Sequence, residues 1–208
     1  NSYTQGGGYG ADGGSASGAY SKAYGFAYAP FLPGSPNGLY EGKIDRGNHP
    51  GGTVWVKCGG LCELYGMVSA DGNPSGRSIY GAASGGGVWL TSRKKFVLSG
   101  SITAKGGKTS SNYNADAGGG RIALVLTDEN ADFASFTGDV TAYGGYTSEK
   151  SIGSPGTIYY ETPADGGKGK LVVRGVNGIV PSTTDISRSM TTGLTGVLGP
   201  STTYEFSE

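Results

Sequence analysis

Residues 51–72 read GGTVWVKCGGLCELYGMVSADG, and the chain repeats this stretch. A shift of 34 residues aligns Val54 with Val88 without a gap, and a second shift of 34 aligns Val88 with Ile122. Four extra residues then precede the rest of the third copy, and a looser fourth copy contains Ile158. We call these copies the first to fourth repeats in chain order, and the first three span 51–72, 85–106 and 119–144.

The repeats alternate apolar and other residues, which is the periodicity of β-strands. Each repeat is too short to bury its own apolar face, so we expect equivalent strands to stack on one another. The fold predicted is all-β, a right-handed parallel β-helix of about four short coils with glycine-rich loops. A β-sandwich of antiparallel hairpins is the alternative. The columns predicted to point inward are Val54, Val88, Ile122, Ile158; Val56, Leu90, Leu124; Leu64, Leu98, Phe136; Val68, Ile102, Val140; and Ala70, Ala104, Ala142.

Composition divides the chain into three parts of one domain. Residues 1–50 are rich in glycine and tyrosine, and we expect irregular loops packed on the body, with their aromatic side chains in a satellite cluster. The repeat body covers 51–175 and includes glycine-rich loops. Residues 176–208 are rich in serine and threonine and are predicted to be a cap or linker.

Charge excludes two classes of partner. Lys plus Arg and Asp plus Glu number 16 each, so the formal net charge is zero. Binding along nucleic-acid phosphates or on anionic lipid requires positive charge, which the composition does not supply. No apolar run is long enough to span a bilayer, so we expect no membrane insertion.

Cys58 and Cys62 are the only cysteines and flank a Gly-Gly pair. With His49 as the only histidine, they fall short of a zinc-binding set. We predict a small-loop disulfide between them, which indicates an extracellular or cell-surface location. Two buried, unpaired thiols are the alternative.

A resemblance supports this location. Tyr24-Gly25, Pro30 and the Pro33-Gly34-Ser35 segment precede GGGVWL at 85–90 and GGGRIAL at 118–124. This order resembles the glycine-rich repeat regions of large secreted or cell-surface adhesin-like proteins over roughly residues 1–175. The resemblance implies a right-handed parallel β-helix in an extracellular protein and transfers no catalytic residue.

The columns predicted to point outward provide a candidate ligand-binding face. Exposed aromatic rings on a flat sheet suit the apolar face of a sugar, while flanking polar groups bind its hydroxyls. Coverage of the tryptophans by the N-terminal loops is the alternative. The candidate ligand-binding residues are Trp55, Trp89, Tyr159, Lys57, Thr91 and Glu161.

Asp128, Asn130 and Asp132 form an Asp-x-Asn-x-Asp run in the four-residue insertion. Alternating oxygen ligands suit Ca²⁺, but the glycine and the later glutamate of a calcium-binding loop are missing. We therefore expect no cofactor and keep Ca²⁺ at this run as an alternative to a solvated acidic turn.

The leading function is a non-catalytic adhesion or glycan-binding module whose partner is a polysaccharide or glycoconjugate. The first alternative is a structural subunit or spacer that assembles with copies of itself. The second is a polysaccharide lyase or glycoside hydrolase, for which Asp116, Arg121 and Asp139 near one repeat, or Asp45, Arg46 and His49 on one loop, are the candidate residues.

Overall fold

The structure is a computed structural model of the chain. It describes residues 5–15, 21–37, 48–75, 80–110, 115–148, 152–175 and the backbone of 203–205. These parts are all-β, with one short 3-10 turn at Pro163–Asp165. The strands are β1 (Thr53–Cys58), β2 (Leu61–Leu64), β3 (Met67–Ser69), β4 (Gly87–Ser92), β5 (Lys95–Leu98), β6 (Ser101–Thr103), β7 (Arg121–Leu126), β8 (Asp139–Thr141), β9 (Thr157–Glu161), β10 (Lys170–Val172) and β11 (Thr203–Glu205).

The largest sheet has six strands in the order β1-β4-β7-β9-β10-β11. Its first four strands are parallel, and Val54 pairs with Val88, Val88 with Ile122, and Ile122 with Ile158. The pairing confirms the predicted column, because side chains at equal phase must lie on the same face of a sheet. β10 then pairs antiparallel with β9, and β11 pairs parallel with β10.

Two smaller sheets follow the same repeat. β2 pairs with β5, and an isolated bridge joins Leu98 to Phe136. β3, β6 and β8 form a parallel three-stranded sheet in which Val68, Ile102 and Val140 are neighbours. Among the described strands only β9 and β10 pair antiparallel, so these repeats do not form the hairpins of the β-sandwich alternative.

The core lies between these sheets and contains the columns predicted to point inward, except Val56, which lies on the edge strand β1 and is exposed. Within it, the column side chains from the second repeat onward are buried except Phe136, which is partly buried. Val54, Leu64 and Val68 of the first repeat are likewise only partly buried. Each large aliphatic side chain fully removed from water contributes about 1.5–3 kcal/mol before entropy is counted. The first repeat therefore gains less from the core than its copies do.

Buried segments without strands form a further part of the body, which we call the glycine layer: residues 6–14, 81–86, 115–120 and 153–156. Backbone hydrogen bonds link these segments, for example from Gly7 N to Ala82 O (2.9 Å) and from Gly118 N to Gly7 O (2.9 Å). A Cβ atom on Gly10 would overlap the carbonyl oxygen of Gly120. Backbones pack this closely only where side chains are absent, as they do in collagen.

The glycine layer shows how segments predicted as loops are held in the body. Residues 6–14 belong to the segment predicted as irregular loops packed on the body. They form no strand, but all nine are buried, and backbone hydrogen bonds join the segment to the body. The glycine-rich loops that follow the repeats likewise contribute buried ends to the layer, at 81–85, 115–119 and 153–155. Glycine clusters are typical of turns, but here the missing side chains permit close packing of backbones.

The aromatic residues near the N-terminus pack in two pairs. The rings of Tyr9 and Tyr24 lie 4.9 Å apart, and those of Phe26 and Tyr28 lie 5.5 Å apart. Tyr9 is buried, whereas Phe26 and Tyr28 are exposed. The predicted satellite cluster is therefore split between the interior and the surface.

The predicted cap at 176–208 lies outside the described residues except for the backbone of β11. That strand extends the six-stranded sheet at the end opposite to β1. In the part of the chain that is described, no helix has the length and hydropathy needed to cross a membrane.

Candidate functional site

The outward face of the six-stranded sheet brings the predicted ligand-binding residues into two neighbouring rows. The pairing confirms that these residues are neighbours, because β1, β4, β7 and β9 are in register. The rows are Trp55, Trp89, Ala123, Tyr159 and Lys57, Thr91, Val125, Glu161.

Trp55 and Trp89 stack on each other. Their ring centroids are 5.2 Å apart and their planes differ by 8°. Trp55 is 63% exposed, whereas Trp89 is half-buried and packs against a small cluster on this face. The stack restrains the Trp55 indole and covers one of its faces, so one aromatic face stays open to solvent.

The row does not continue as an exposed aromatic surface. Tyr159 is only 1% exposed and packs with Leu171 of β10, Ala27 and Ala123. Its hydroxyl donates a hydrogen bond to Glu161 Oε2 at 3.0 Å. Burial, followed by the charge of Glu161, raises the pKa of Tyr159 above its usual value. Tyr159 therefore cannot stack on a sugar, which corrects its predicted role.

The remaining polar candidates differ in access. Lys57 is exposed beside Trp55, and Thr91 is half-buried beside Trp89. Glu161 is half-buried and accepts the Tyr159 hydrogen bond. The N-terminal segment covers the sheet around Ala123 through Ala27, but Trp55 remains exposed. The accessible part of the predicted site is thus Trp55 with Lys57 and the edge of Thr91.

Cys58 and Cys62 are free thiols in the structure, at the turn between β1 and β2. Burial, followed by the hydrogen bond with the neighbouring Cys58 side chain and the charge of that side chain, raises the pKa of the Cys62 thiol to about 12. The thiols are close enough to interact, and the disulfide between them stays a prediction.

The acidic run in the third repeat is engaged by its own surroundings. Asp128 Oδ1 accepts a hydrogen bond from Arg93 Nε at 2.9 Å, and Asp132 Oδ1 accepts one from Ala134 N at 3.0 Å. Asn130 lines an open pocket of about 470 Å³ whose wall also includes Lys94. Within the described ranges, no group of three or more His, Cys, Asp or Glu residues could hold a metal ion.

Two of the candidate catalytic residues are internal. Asp116 and Arg121 are both fully buried. Asp116 accepts hydrogen bonds from Thr109 N at 2.7 Å and Thr147 N at 2.6 Å, which joins two loops. A carboxylate held in this way stabilises the fold and cannot reach a substrate.

Arg121 joins the N-terminal segment to the repeats. Its Nε donates to Tyr24 O at 3.0 Å, one terminal nitrogen donates to Thr157 Oγ1 at 3.1 Å, and its guanidinium lies 5.8 Å from the Tyr9 ring centre. Burial lowers the pKa of Arg121 to about 10. Of the other candidates His49 and Asp139 are exposed, while Asp45 and Arg46 lie outside the described residues.

The structure also exposes apolar residues that the sequence analysis did not select. Leu61, Tyr65 and Met67 lie on or beside β2 and β3 of the first repeat and are all exposed. The available signal was their place in the first repeat, which has no earlier copy to pack against. Comparison with protein-family models, with curated proteins and with solved structures found no match to this chain.

Proposed function

We propose that this chain is a non-catalytic extracellular adhesion module that binds carbohydrate through Trp55. We further propose that its sheets are the faces of a right-handed parallel β-helix, each repeat forming one coil. The constant shift of 34 residues from β1 to β4 and from β4 to β7 supports this architecture. The same shift relates β2 to β5 and β3 to β6.

The observation that carries the functional proposal is the Trp55–Trp89 stack. Trp55 stands on a regular sheet, is braced on one side by Trp89, and offers its other face to solvent. A pyranose ring places C–H groups against such an indole face. Exposed Lys57 lies on the same face of β1, where its ammonium group can donate hydrogen bonds to sugar hydroxyls.

The burial of two candidate catalytic residues favours carbohydrate binding over hydrolysis. Asp116 and Arg121 are both buried and engaged in hydrogen bonds, so neither can transfer a proton to a glycosidic oxygen. The extracellular location rests on the predicted disulfide between Cys58 and Cys62 and on the resemblance to adhesin-like repeats.

A glycan array tests the proposal by identifying the carbohydrates that the protein binds. Affinity electrophoresis in gels that contain those polysaccharides then compares the variants. We expect Trp55→Ala to weaken binding about tenfold or more, equivalent to a loss of about 1.4 kcal/mol. Tyr65→Ala is the matched control, because Tyr65 is an equally exposed aromatic residue of the first repeat but lies off the β1 face. Undiminished binding by a folded Trp55→Ala protein contradicts the proposal.

A further inference from the structure

The first repeat is an open end of the stacked sheets. Among the described strands, β1 and β3 are edge strands of their sheets, and β2 is paired only with β5. Five of the eight exposed large hydrophobic residues in the described chain lie in this repeat. Among them Val56 is 40% exposed, although its counterparts Leu90 and Leu124 in the next two repeats are buried. An apolar column of the core therefore reaches solvent at this end.

Glycines at this end have room that their counterparts lack. A Cβ atom on Gly86 would overlap the carbonyl oxygen of Gly52, and one on Gly100 would overlap that of Gly66. Gly120 and Gly156 are restricted by the preceding repeat in the same way. In contrast, a Cβ atom on Gly52 or Gly66 would meet no atom of the described chain within 4 Å.

The backbone conformation does not require glycine at these two positions either. The glycines with positive φ are found elsewhere, at Gly25, Gly166, Gly167 and Gly169. Gly52 and Gly66 are thus free of both constraints that restrict other glycines of the described chain. Both positions therefore remain suited to the close approach of a neighbouring backbone.

The free edge of β1 also presents hydrogen-bonding groups. Gly87 N donates to Gly52 O and Arg93 N donates to Cys58 O, so even-numbered residues of β1 face β4. Because backbone groups alternate along a strand, those of Thr53, Trp55 and Lys57 point away from β4. No described residue pairs with this edge. Such an edge is a template for another strand.

The charges and the opposite end of the sheet indicate what covers this surface. Lys57 and Glu63 are the only charged residues between Gly52 and Ala70, so the surface is neutral and carries one charge of each sign. Two copies of such a surface carry no net charge that would hold them apart. At the other end, antiparallel β10 interrupts the stacking, so the parallel repeat does not continue there for head-to-tail assembly.

We propose that two copies of this chain pair through their first repeats, with β1 of one antiparallel to β1 of the other. In this pairing an even-numbered residue of one β1 must lie opposite an even-numbered residue of the other, and an odd-numbered residue opposite an odd-numbered one. Only such a register keeps both cores on the same side of the joined sheet. A two-fold axis at Trp55 or at Val56 satisfies this condition. Pairing at Trp55 brings the open indole faces of the two copies together.

This inference does not rest on the proposed carbohydrate binding. The pair would cover the open face of Trp55, so paired and sugar-bound states exclude each other. Sedimentation equilibrium measures the mass of the protein without any glycan, whereas the glycan array measures the binding of the protein to glycans. Either proposal can therefore fail while the other stands.

Sedimentation equilibrium on the full chain tests the pairing. We expect a species of twice the chain mass of 21.0 kDa that dissociates on dilution. Gly52→Val adds a side chain where the single chain has open space, and we expect it to raise the dimer dissociation constant at least tenfold. Ser99→Val adds the same side chain at an exposed position of the second repeat and should leave association unchanged.

A second variant guards against misfolding of the first. Thr53→Pro removes an N–H group from the free edge, at the first position of β1, where proline is tolerated. We expect it to dissociate the dimer while the far-UV circular dichroism spectrum keeps its shape. A wild-type chain that stays at 21.0 kDa up to high concentration overturns the proposal. Folded variants that pair as tightly as the wild type, or assemblies that grow beyond two copies, also overturn it.

Discussion

Gly86 lies against Gly52 of the preceding repeat so closely that a Cβ atom on Gly86 would overlap the carbonyl oxygen of Gly52. The relation is not reciprocal, since a Cβ atom on Gly52 would point into open space. The two glycines occupy equivalent positions in the repeat but face different neighbours. Substituting each of them should therefore affect stability differently.

Gly86→Ala should destabilise the fold by at least about 2 kcal/mol, because the backbone it would strike cannot rotate away as a side chain can. Gly52→Ala should change the free energy of unfolding by less than about 0.5 kcal/mol when the chain is monomeric. Urea unfolding of both variants measures the difference. Equal midpoints would show that the repeats are not packed as described.

Asp116→Ala should cost about 3 kcal/mol, because it removes the acceptor of the buried Thr109 N–H group and of the partly buried Thr147 N–H group. Asp132→Ala is the control, since the Asp132 carboxylate is exposed and accepts only a local hydrogen bond from Ala134 N. Thermal unfolding of the two variants should differ by several degrees. A stable Asp116→Ala protein would contradict a structural role for this carboxylate.

Arg121→Lys should destabilise the protein by about 2–3 kcal/mol, because one ammonium group cannot replace both hydrogen bonds of the planar guanidinium. Arg93→Lys should cost less than about 1 kcal/mol, since the Arg93–Asp128 ion pair is exposed. Chemical denaturation of the two variants measures how much free energy of unfolding each one loses. Similar losses would argue against Arg121 as the anchor of the N-terminal segment.

The protein should lose stability at alkaline pH. Burial raises the pKa of Tyr9 and that of Tyr160 to about 12, from a usual value near 10. Between these values the unfolded chain releases protons that the folded chain keeps, so the free energy of unfolding falls as pH rises. Arg121 acts in the opposite direction, because burial lowers its pKa to about 10, but the raised pKa values of Tyr159 and Cys62 add to the effect of Tyr9 and Tyr160.

Urea midpoints from about pH 8 to about pH 11 test this expectation. Tyrosinate absorbance should appear together with unfolding. Tyr9→Phe should flatten the decline, because it removes one of the protons retained by the folded state. A midpoint independent of pH over this interval would contradict the burial of these phenols.

The strand pairing could be predicted because a repeat specifies both partners at once. The 34-residue shift names Val88 as the neighbour of Val54, and a register error of one residue would expose every core side chain. The place of Gly10 could not be predicted, because the carbonyl that excludes a side chain there belongs to Gly120. Sequence spacing does not bring these two residues together.

The candidate site was predictable only in part for a related reason. Alternation places Tyr159 on the outward face with Trp55, and the register confirms that they share it. Its burial depends on Leu171 of β10, which lies outside the repeat pattern. Alternation distinguishes the two faces of a strand but does not tell which part of the outer face another segment covers.

The glycine layer separates order from regular secondary structure. Amide hydrogens such as those of Gly7 and Gly118 are buried and bonded across the layer, so they should exchange with solvent as slowly as amides within strands. Circular dichroism would nevertheless count these segments as irregular. A spectroscopic measure of strand content will therefore understate how much of this backbone is held in one conformation.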